Sequence, residues 1–347
     1  MGLCKQVILP VLFAYVGYVA VQRRAVASYI GPSGYGFSTM PAEVLADQDL
    51  TGVVVLITGA NAGLGFESAR EMAQRGAHIV VSTRSAKKSQ ETIEKLQELV
   101  GREAGAQFTP LECDLSDLNS VTMAAEQFLA SGLPLHVLMN NAGIMALPTR
   151  QVSKQGFEMQ MGTNHIGHFH LTNLLLPKLL DPSTSERRSR IVAVASSTHN
   201  EADTSFLANA TLENSNYHYW TAYCNTKFAN VLFAKELHER YFSQGLLTFS
   251  LHPGVASTEI GRSLSNRELI PILWNYPAYK TMKSVSACTS TQVFAATQAT
   301  SQMSGRYLED SNDRSSLRAD LQAIADDADA RKAFWDTTQS MVDAALK

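Results

Sequence analysis

Residues 53–65 read VVVLITGANAGLG, and this stretch decides the fold that we predict for the chain. The apolar, mostly β-branched run at 53–57 is typical of a strand that is covered on both faces of a sheet. Gly59, Gly63 and Gly65 follow, where they permit a tight turn and a close approach of the backbone to a phosphate. A helix that begins there offers unpaired N–H groups to a pyrophosphate. The G-x-x-x-G-x-G spacing also suits a plain connection, but the strand–turn–helix order favours a dinucleotide site.

The composition limits what else the chain can be. It has 347 residues, 45% hydrophobic and 18% charged, which fits one large α/β domain or two small ones behind a short leader. The net charge of -3 gives no reason to expect a nucleic-acid partner. The four cysteines are scattered, so we predict reduced thiols. His165, His168 and His170 lack nearby cysteine or carboxylate ligands, and we interpret them as helix surface and packing residues rather than a metal site.

The first 42 residues differ from the rest, and we predict that residues 1–42 are a hydrophobic anchor and linker. Residues 3–22 are mostly apolar and about long enough to span a bilayer. Arg23 and Arg24 follow, and by the positive-inside rule the rest of the chain should face the cytosol. We predict the endoplasmic reticulum or a lipid droplet as the membrane. The alternatives are an interfacial segment, a signal peptide, a buried segment, or a transit peptide for a chloroplast or mitochondrion, since no acid precedes Glu43.

Strands and helices alternate along the remainder, residues 43–347. A Gly/Ser/Pro-rich linker at 30–40 leads into this region. Strict alternation predicts a single α/β domain with a Rossmann-like, doubly wound parallel sheet, helices on both faces and a helical tail. Ligands of such sheets bind at the carboxyl ends of the strands, near the switch in strand order. The predicted strands are 53–57, 77–83, 107–113, 135–139, 190–195 and 247–251.

Several of these strand ends carry polar residues that suit a nucleotide. Arg84 stands where an NAD site usually has an acid, and a guanidinium pairs well with a 2′-phosphate, so we predict NADP(H). The alternative is a solvated arginine. Asp114 either accepts a hydrogen bond from the adenine amine or caps the next turn. The small corner Asn141-Ala142-Gly143 lets the backbone approach a sugar, although alone it is a common turn.

The fifth strand and the following helix suggest acid–base chemistry. Tyr223 and Lys227 are four residues apart and so share a helix face. We expect the ammonium to lower the pKa of the phenol towards working pH, which would let the tyrosine exchange a proton with an alcohol. Ser197 would hold the substrate oxygen. A lone Y-x-x-x-K is a weak signal, and its value here lies in its position after the other motifs.

In this order the motifs resemble the short-chain dehydrogenase/reductase family over residues of about 50–310. Residues 164–169, 222–227, 252–255 and 305–310 resemble its retinol dehydrogenase branch, close to WW-domain oxidoreductases and plant chloroplast-envelope relatives. The motifs that carry the family resemblance are Thr58-Gly59-x-x-x-Gly63-x-Gly65, Asn140-Asn141-Ala142-Gly143, Ser197, Tyr223-x-x-x-Lys227 and His252-Pro253-Gly254.

The resemblance implies a role for each matching residue. Tyr223 would be the general acid/base, and Lys227 would lower its pKa and bind the nicotinamide ribose. Ser197 would polarise the carbonyl, a choice over Ser196 that depends on the alignment alone. Asn164 would hold a water in the proton relay. The residues expected to bind NADP(H) are Gly59, Asn61, Gly63, Leu64, Gly65, Arg84, Asp114, Asn141, Ala142, Gly143, Tyr223, Lys227, Pro253, Gly254, Val255 and Thr258.

Residues 259–283 lie where the family keeps its substrate lid. They are apolar but broken by prolines, and we interpret them as a flap over a lipophilic substrate or, alternatively, as a core-packing excursion. We therefore predict an NADP(H)-dependent oxidoreductase that interconverts a lipophilic alcohol and its aldehyde or ketone, of the retinoid, steroid or fatty-aldehyde class. A homodimer is also compatible with the sequence. The alternative function is a membrane-tethered NADP(H)-sensing interaction subunit with little turnover.

Overall fold

A computed structural model of the protein describes residues 27–181, 188–207, 217–256, 260, 282–314 and 317–347. Within those ranges no helix is long and apolar enough to cross a bilayer. The anchor that we predict at 3–22 lies outside the described residues, as do Thr258 and nearly all of the predicted flap.

The described strands form one eight-stranded sheet in the order β3-β2-β1-β4-β5-β6-β7-β8. All neighbours are parallel except β8, a short strand that the sequence did not indicate and that runs antiparallel to β7. The predicted α/β doubly wound fold is therefore confirmed. The strands are β1 Val54–Thr58, β2 His78–Thr83, β3 Gln107–Glu112, β4 Val137–Asn140, β5 Arg190–Val194, β6 Leu247–His252, β7 Tyr307–Glu309 and β8 Asn312–Asp313.

Helices cover both faces of this sheet. One of them, α5, is continuous through three segments and contains a π-helical turn, Gly162–Ile166, between Met159–Met161 and Gly167–Leu179. The other helices are α1 Pro41–Val44, α2 Gly63–Ala73, α3 Ala86–Val100, α4 Leu118–Ala130, α6 Tyr219–Tyr241, α7 Val285–Thr297, α8 Ala319–Asp326 and α9 Ala328–Ala345.

The switch in strand order lies between β1 and β4. From β1 the chain moves outward through β2 to β3, and it then returns to place β4 on the other side of β1. β1 is buried along its whole length, as its apolar sequence predicts. The crevice for a ligand therefore opens above the carboxyl ends of β1 and β4.

The segment that we predicted as a linker packs against distant parts of the chain. The Tyr35 hydroxyl donates to Gln298 Oε1 at 3.0 Å, and Asn312 Nδ2 donates to the Tyr35 carbonyl at 3.0 Å. The Tyr35 ring also meets Phe294 edge-on, with centroids 5.6 Å apart. Because these partners lie more than 250 residues away in the sequence, the local Gly/Ser/Pro content could not reveal them. The boundary at residue 42 stays a prediction.

The C-terminal helix α9 completes the core. Trp335 stacks on Phe233 of α6 with ring centroids 5.7 Å apart, and it meets Phe169 of α5 edge-on at 4.7 Å. The buried Arg331 lies 3.4 Å from a carboxylate oxygen of Glu236. The tail, to which the sequence assigned no chemistry, therefore stabilises the two helices that carry the candidate active site.

We expect Trp335→Ala to lower the free energy of unfolding by about 3–5 kcal/mol, because it empties a large aromatic contact between α5 and α6. Urea unfolding monitored by circular dichroism measures this loss. Lys332→Ala is the matched control on the same helix, where the side chain is 64% exposed, and it should change the stability by less than about 0.5 kcal/mol. Equal effects of the two variants would contradict the packing role of α9.

Candidate active site

The three glycines of the turn after β1 are required by the backbone conformation or by close neighbours. Gly59 and Gly63 have φ angles of +67° and +55°, in the left-handed region that favours glycine. A Cβ at Gly65 would lie 2.5 Å from Asn141 Nδ2. Helix α2 begins at Gly63. Its N-cap residue is Ala62, whose methyl group cannot accept a hydrogen bond from the N–H groups of the first turn. Uncapped N–H groups above a turn this tight fit a pyrophosphate. Beside them, Asn61 is exposed and Leu64 is half-buried.

The Thr58 side chain joins this turn to the end of β4. The backbone N–H groups of Asn141 and Ala142 both donate to Thr58 Oγ1 at 3.0 Å. Asn141 Nδ2 donates to the Thr58 carbonyl at 2.8 Å, and Gln292 Nε2 donates to Asn141 Oδ1 at 2.9 Å. These bonds fix the predicted Asn141-Ala142-Gly143 corner against the glycine turn.

Gly143 brings the same corner to two of the predicted catalytic residues. A Cβ on Gly143 would lie 3.3 Å from Asn164 Oδ1 and 3.8 Å from Lys227 Nζ. Asn164 is fully buried in the π-helical turn of α5. Its side chain accepts a hydrogen bond from the Ile144 N–H at 2.8 Å and donates to the Ile144 carbonyl at 2.9 Å. Irregular turns of this kind are frequent at functional sites, and this one holds Asn164 beside the corner.

Tyr223 and Lys227 lie together in α6, and both are buried. Lys227 Nζ donates to the Val194 carbonyl at the end of β5 at 2.9 Å, and it lies 5.4 Å from the centroid of the Tyr223 ring. Burial lowers the pKa of Lys227 to about 8. This arrangement places the amine and the phenol at the same end of the sheet as the glycine turn.

The pKa of Tyr223 differs from the expectation. We expected Lys227 to lower it, but burial raises the pKa of Tyr223 well above 10, with a smaller contribution from Cys224 and with an opposing hydrogen bond from Ser196. Desolvation is the largest cause because Tyr223 is only 5% exposed. At neutral pH the phenol therefore keeps its proton, as a proton donor must.

Of the two adjacent serines, Ser196 is the one whose side chain interacts with the Tyr223 phenol, and the role of Ser197 stays a prediction. The side chain of Ser196 hydrogen bonds with Tyr223, and it also accepts from the Thr198 N–H at 3.3 Å. Ser196 is buried and caps the 3₁₀ turn Ser197–Glu201, whereas Ser197 is half-buried as the first residue of that turn. A one-residue choice between adjacent serines could not be made from the sequence, because it depends on where the strand ends and the turn begins. The geometry favours Ser196.

The predicted residues at the ends of β2 and β3 differ in how they are held. Arg84 is exposed, and no hydrogen bond or ion pair holds it within the described part of the chain. Asp114 Oδ1 accepts from the N–H and the hydroxyl of Ser116 at 2.9 and 2.7 Å. Asp114 thus caps its own turn, which was the alternative that the sequence left open, and a role towards adenine stays a prediction.

The Pro253-Gly254-Val255 segment follows β6 at the same edge of the sheet. Gly254 has a φ angle of +108°, and a Cβ there would lie 3.0 Å from the Lys283 side chain. Lys283, which the sequence did not single out, donates from its N–H to the Val255 carbonyl at 2.8 Å and pairs with Asp310. This segment is therefore tied to the described end of the predicted flap.

Known proteins match both the sequence and this geometry. Residues 53–269 match the family model described as short chain dehydrogenase. The chain belongs to the short-chain dehydrogenase/reductase family. It is 41% identical to human retinol dehydrogenase 11 over 217 residues, which cover 62% of this chain and 65% of that protein. A short-chain dehydrogenase/reductase of Armillaria gallica is also 41% identical, over 218 residues that cover 62% of this chain and 69% of that protein. The crystal structure of an uncharacterised Mycobacterium paratuberculosis protein, 32% identical, gives a TM-score of 0.62 and covers 86% of this chain and 96% of its own.

Membership of the short-chain dehydrogenase/reductase family makes the protein an oxidoreductase that uses a nicotinamide cofactor and interconverts alcohols and carbonyl compounds. The glycine turn, the corner at Gly143 and the uncapped start of α2 fit such a cofactor. The predicted enzyme class is therefore confirmed at this level.

We interpreted the three histidines of α5 as helix surface and packing residues, and the structure shows that they are packing residues. His165, His168 and His170 are all buried. His165 packs among aromatic rings and stacks on Phe334 with centroids 5.3 Å apart. His170 bonds with Thr122 at 2.8 Å. No group of three metal-ligating side chains occurs in the ranges that the structure describes. The sequence offers one signal that could have linked a histidine to the site: His168 lies four residues after Asn164 and so shares its helix face.

We expect Ser196→Ala to lower kcat by about 10²–10³-fold, because it removes a hydroxyl that interacts with the Tyr223 phenol, whereas Ser197→Ala should stay within about threefold of the wild type. The measurement is the loss of absorbance of the reduced nicotinamide with a carbonyl substrate. A large loss in Ser197→Ala together with an active Ser196→Ala enzyme would restore the original assignment.

Proposed function

We propose that the protein is an NADP(H)-dependent oxidoreductase that interconverts a lipophilic alcohol and its aldehyde or ketone. One observation carries the proposal: Lys227 Nζ lies beside Gly143 and 5.4 Å from the centroid of the Tyr223 ring, and Ser196 interacts with the same phenol, at the edge of the sheet where the glycine turn ends. If a dinucleotide binds over the glycine turn and against the corner, its nicotinamide end would lie near the same residues.

Arg84 supports NADP(H) as the cofactor. It stands exposed at the end of β2, one strand away from the glycine turn, and no carboxylate within the described part of the chain neutralises it. A guanidinium in that position can take a 2′-phosphate through two parallel hydrogen bonds. An acid would be needed there to prefer the two hydroxyls of NAD.

The residues of the chain divide the proton chemistry among them. Bound NADPH would supply a hydride to the carbonyl carbon. Ser196 and Tyr223 would hydrogen bond the carbonyl oxygen, and Tyr223 would transfer its proton to that oxygen as negative charge develops there. The Lys227 ammonium would stabilise the phenolate that remains, since its pKa of about 8 keeps it mostly charged at neutral pH.

Two observations support a lipophilic substrate: the names of related proteins and the aromatic residues near Tyr223. Two human relatives of the chain are named retinol dehydrogenase 11 and retinol dehydrogenase 12. Above the catalytic tyrosine, the Trp220 ring lies 6.0 Å from the Tyr223 ring, and the Tyr217 hydroxyl is anchored to the Leu147 carbonyl at 2.7 Å. An aromatic wall suits a retinoid, a steroid or a long-chain aldehyde. We further propose that residues 3–22 attach the enzyme to the membrane from which such a substrate would come, with the catalytic body in the cytosol.

We expect Tyr223→Phe to lower kcat by about 10²–10⁴-fold while NADPH binding is retained, because it removes only the transferable proton. The assay follows NADPH absorbance with all-trans-retinal, a ketosteroid and a long-chain aldehyde. Tyr219→Phe, in the first turn of the same helix, is the matched control and should keep full activity. Undiminished turnover in Tyr223→Phe would overturn the proposed mechanism, and retained biological function without turnover would favour the NADP(H)-sensing subunit.

Arg84→Ala tests the cofactor preference. Loss of a charge-assisted pair with the 2′-phosphate should raise the Kd of NADPH by about 10–100-fold and leave that of NADH within about threefold. Calorimetric titration of both cofactors measures the difference. Lys95→Ala removes the same charge from the exposed face of α3 as a control. An equal effect of Arg84→Ala on the two cofactors would contradict the NADP(H) assignment.

A further inference from the structure

His168 touches both halves of the site, although the mechanism above gives it no role. Its Nδ1 lies 3.0 Å from the Asn164 carbonyl oxygen, one turn back in α5. Its Nε2 lies 2.8 Å from Thr58 Oγ1, at the start of the glycine turn. The imidazole is thus the one ring that we find bonded to both the π-helical turn and the end of β1 within the described residues.

The hydrogen-bond partners of His168 fix its tautomer. A carbonyl oxygen can only accept, so Nδ1 must carry the proton that it donates to Asn164. Thr58 Oγ1 already accepts from two backbone N–H groups, those of Asn141 and Ala142. Its own proton is therefore free to be donated to His168 Nε2 at 2.8 Å, in preference to the Met139 carbonyl at 3.4 Å.

The imidazole must be neutral for this chain of hydrogen bonds to hold. A charged ring would donate from both nitrogens and would push a second N–H against the crowded Thr58 oxygen. His168 is only 2% exposed. Burial, with smaller contributions from the charges of Lys227 and His165, lowers the pKa of His168 to about 4, against the opposing bond to Asn164. The ring is therefore uncharged across the physiological range.

We propose that His168 is a positioning residue that ties Asn164 to the cofactor corner through the Nδ1–H tautomer of a neutral imidazole. Hydrogen bonds run without a break from the Asn141 and Ala142 N–H groups, through Thr58 and His168, to the Asn164 carbonyl. Movement of α5 relative to β1 would break this chain, so the imidazole adds a backbone link to the side-chain bonds that Asn164 makes with Ile144 beside the corner. The inference rests on the proposed function, because it assigns Asn164 to the site.

Two other histidines of α5 show that this link is specific to His168. His165 bonds with Asn230 of α6, and His170 bonds with Thr122 of α4. Neither has a hydrogen bond to Thr58 or Asn164. His170→Phe therefore serves as a matched control that removes a buried histidine from the same helix and leaves the chain of hydrogen bonds intact.

Kinetics of substituted enzymes give the first test, with NADPH and the fastest-reduced carbonyl of the panel above. His168→Phe keeps the ring volume and removes both bonds, and it should lower kcat by roughly 10–100-fold with little change in the Kd of NADPH. His168→Asn can still donate from its amide near the former Nδ1, and it should recover most of that loss. His170→Phe should stay within about threefold of the wild type. A fully active His168→Phe enzyme would overturn the proposal.

A double-mutant cycle separates positioning from general packing. If His168 acts through Asn164, His168→Phe should lower kcat by less than about twofold when Asn164→Ala is already present. Losses that simply multiply would show that His168 acts elsewhere, and the proposal would be wrong. The same four proteins, compared by thermal unfolding, show whether any loss of kcat follows a loss of stability.

Nitrogen NMR of the histidine-labelled full-length protein tests the tautomer without any substrate. The His168 signals, assigned by their absence in His168→Asn, should show a neutral Nδ1–H ring from pH 5.5 to 8.5. A protonated ring or an Nε2–H tautomer in that range would overturn the proposal. Since this measurement needs no turnover, its failure is distinguishable from failure of the proposed function, which Tyr223→Phe tests.

Discussion

The geometry of the candidate site depends on the hydrogen bonds made by the hydroxyl group of Thr58. It accepts two backbone N–H groups from the end of β4 and bonds with His168 of α5. β1, β4 and α5 come from distant parts of the sequence, and hydrogen bonds to one oxygen atom, Thr58 Oγ1, hold them together. The switch in strand order leaves a crevice above β1 and β4. The position of these three elements therefore also determines where a cofactor can lie relative to Tyr223 and Lys227, to which we assign the proton chemistry.

Burial shapes the chemistry of the groups around that crevice. Lys227 and the histidines of α5 are pushed towards their neutral forms, and Tyr223 is held as a protonated phenol. Each shift has the same main cause, the loss of water around a charged form. In the proposed mechanism, the phenol therefore keeps its proton until negative charge develops on the substrate oxygen beside it. That is a simpler arrangement than the one we expected, in which the ammonium alone would acidify the tyrosine.

The sequence predicted the architecture well and the contacts poorly. β1 and the glycine turn were predicted closely because a buried strand and a tight turn leave local signals, namely β-branched residues and glycines. The two neighbouring serines could not be separated, since the choice depends on where a strand becomes a turn. The packing of Tyr35 on α7 and of Trp335 on α5 and α6 was missed for another reason. Those partners are remote in the sequence, and nothing in the local composition of either segment identifies them.

The most direct test of the account is a crystal structure of the full-length protein with NADP⁺. The account predicts the pyrophosphate over the first turn of α2, the 2′-phosphate against Arg84, and the nicotinamide ring between the corner at Gly143 and the Tyr223 hydroxyl. A cofactor whose nicotinamide lies away from Tyr223, or that binds outside the crevice above β1 and β4, would contradict it.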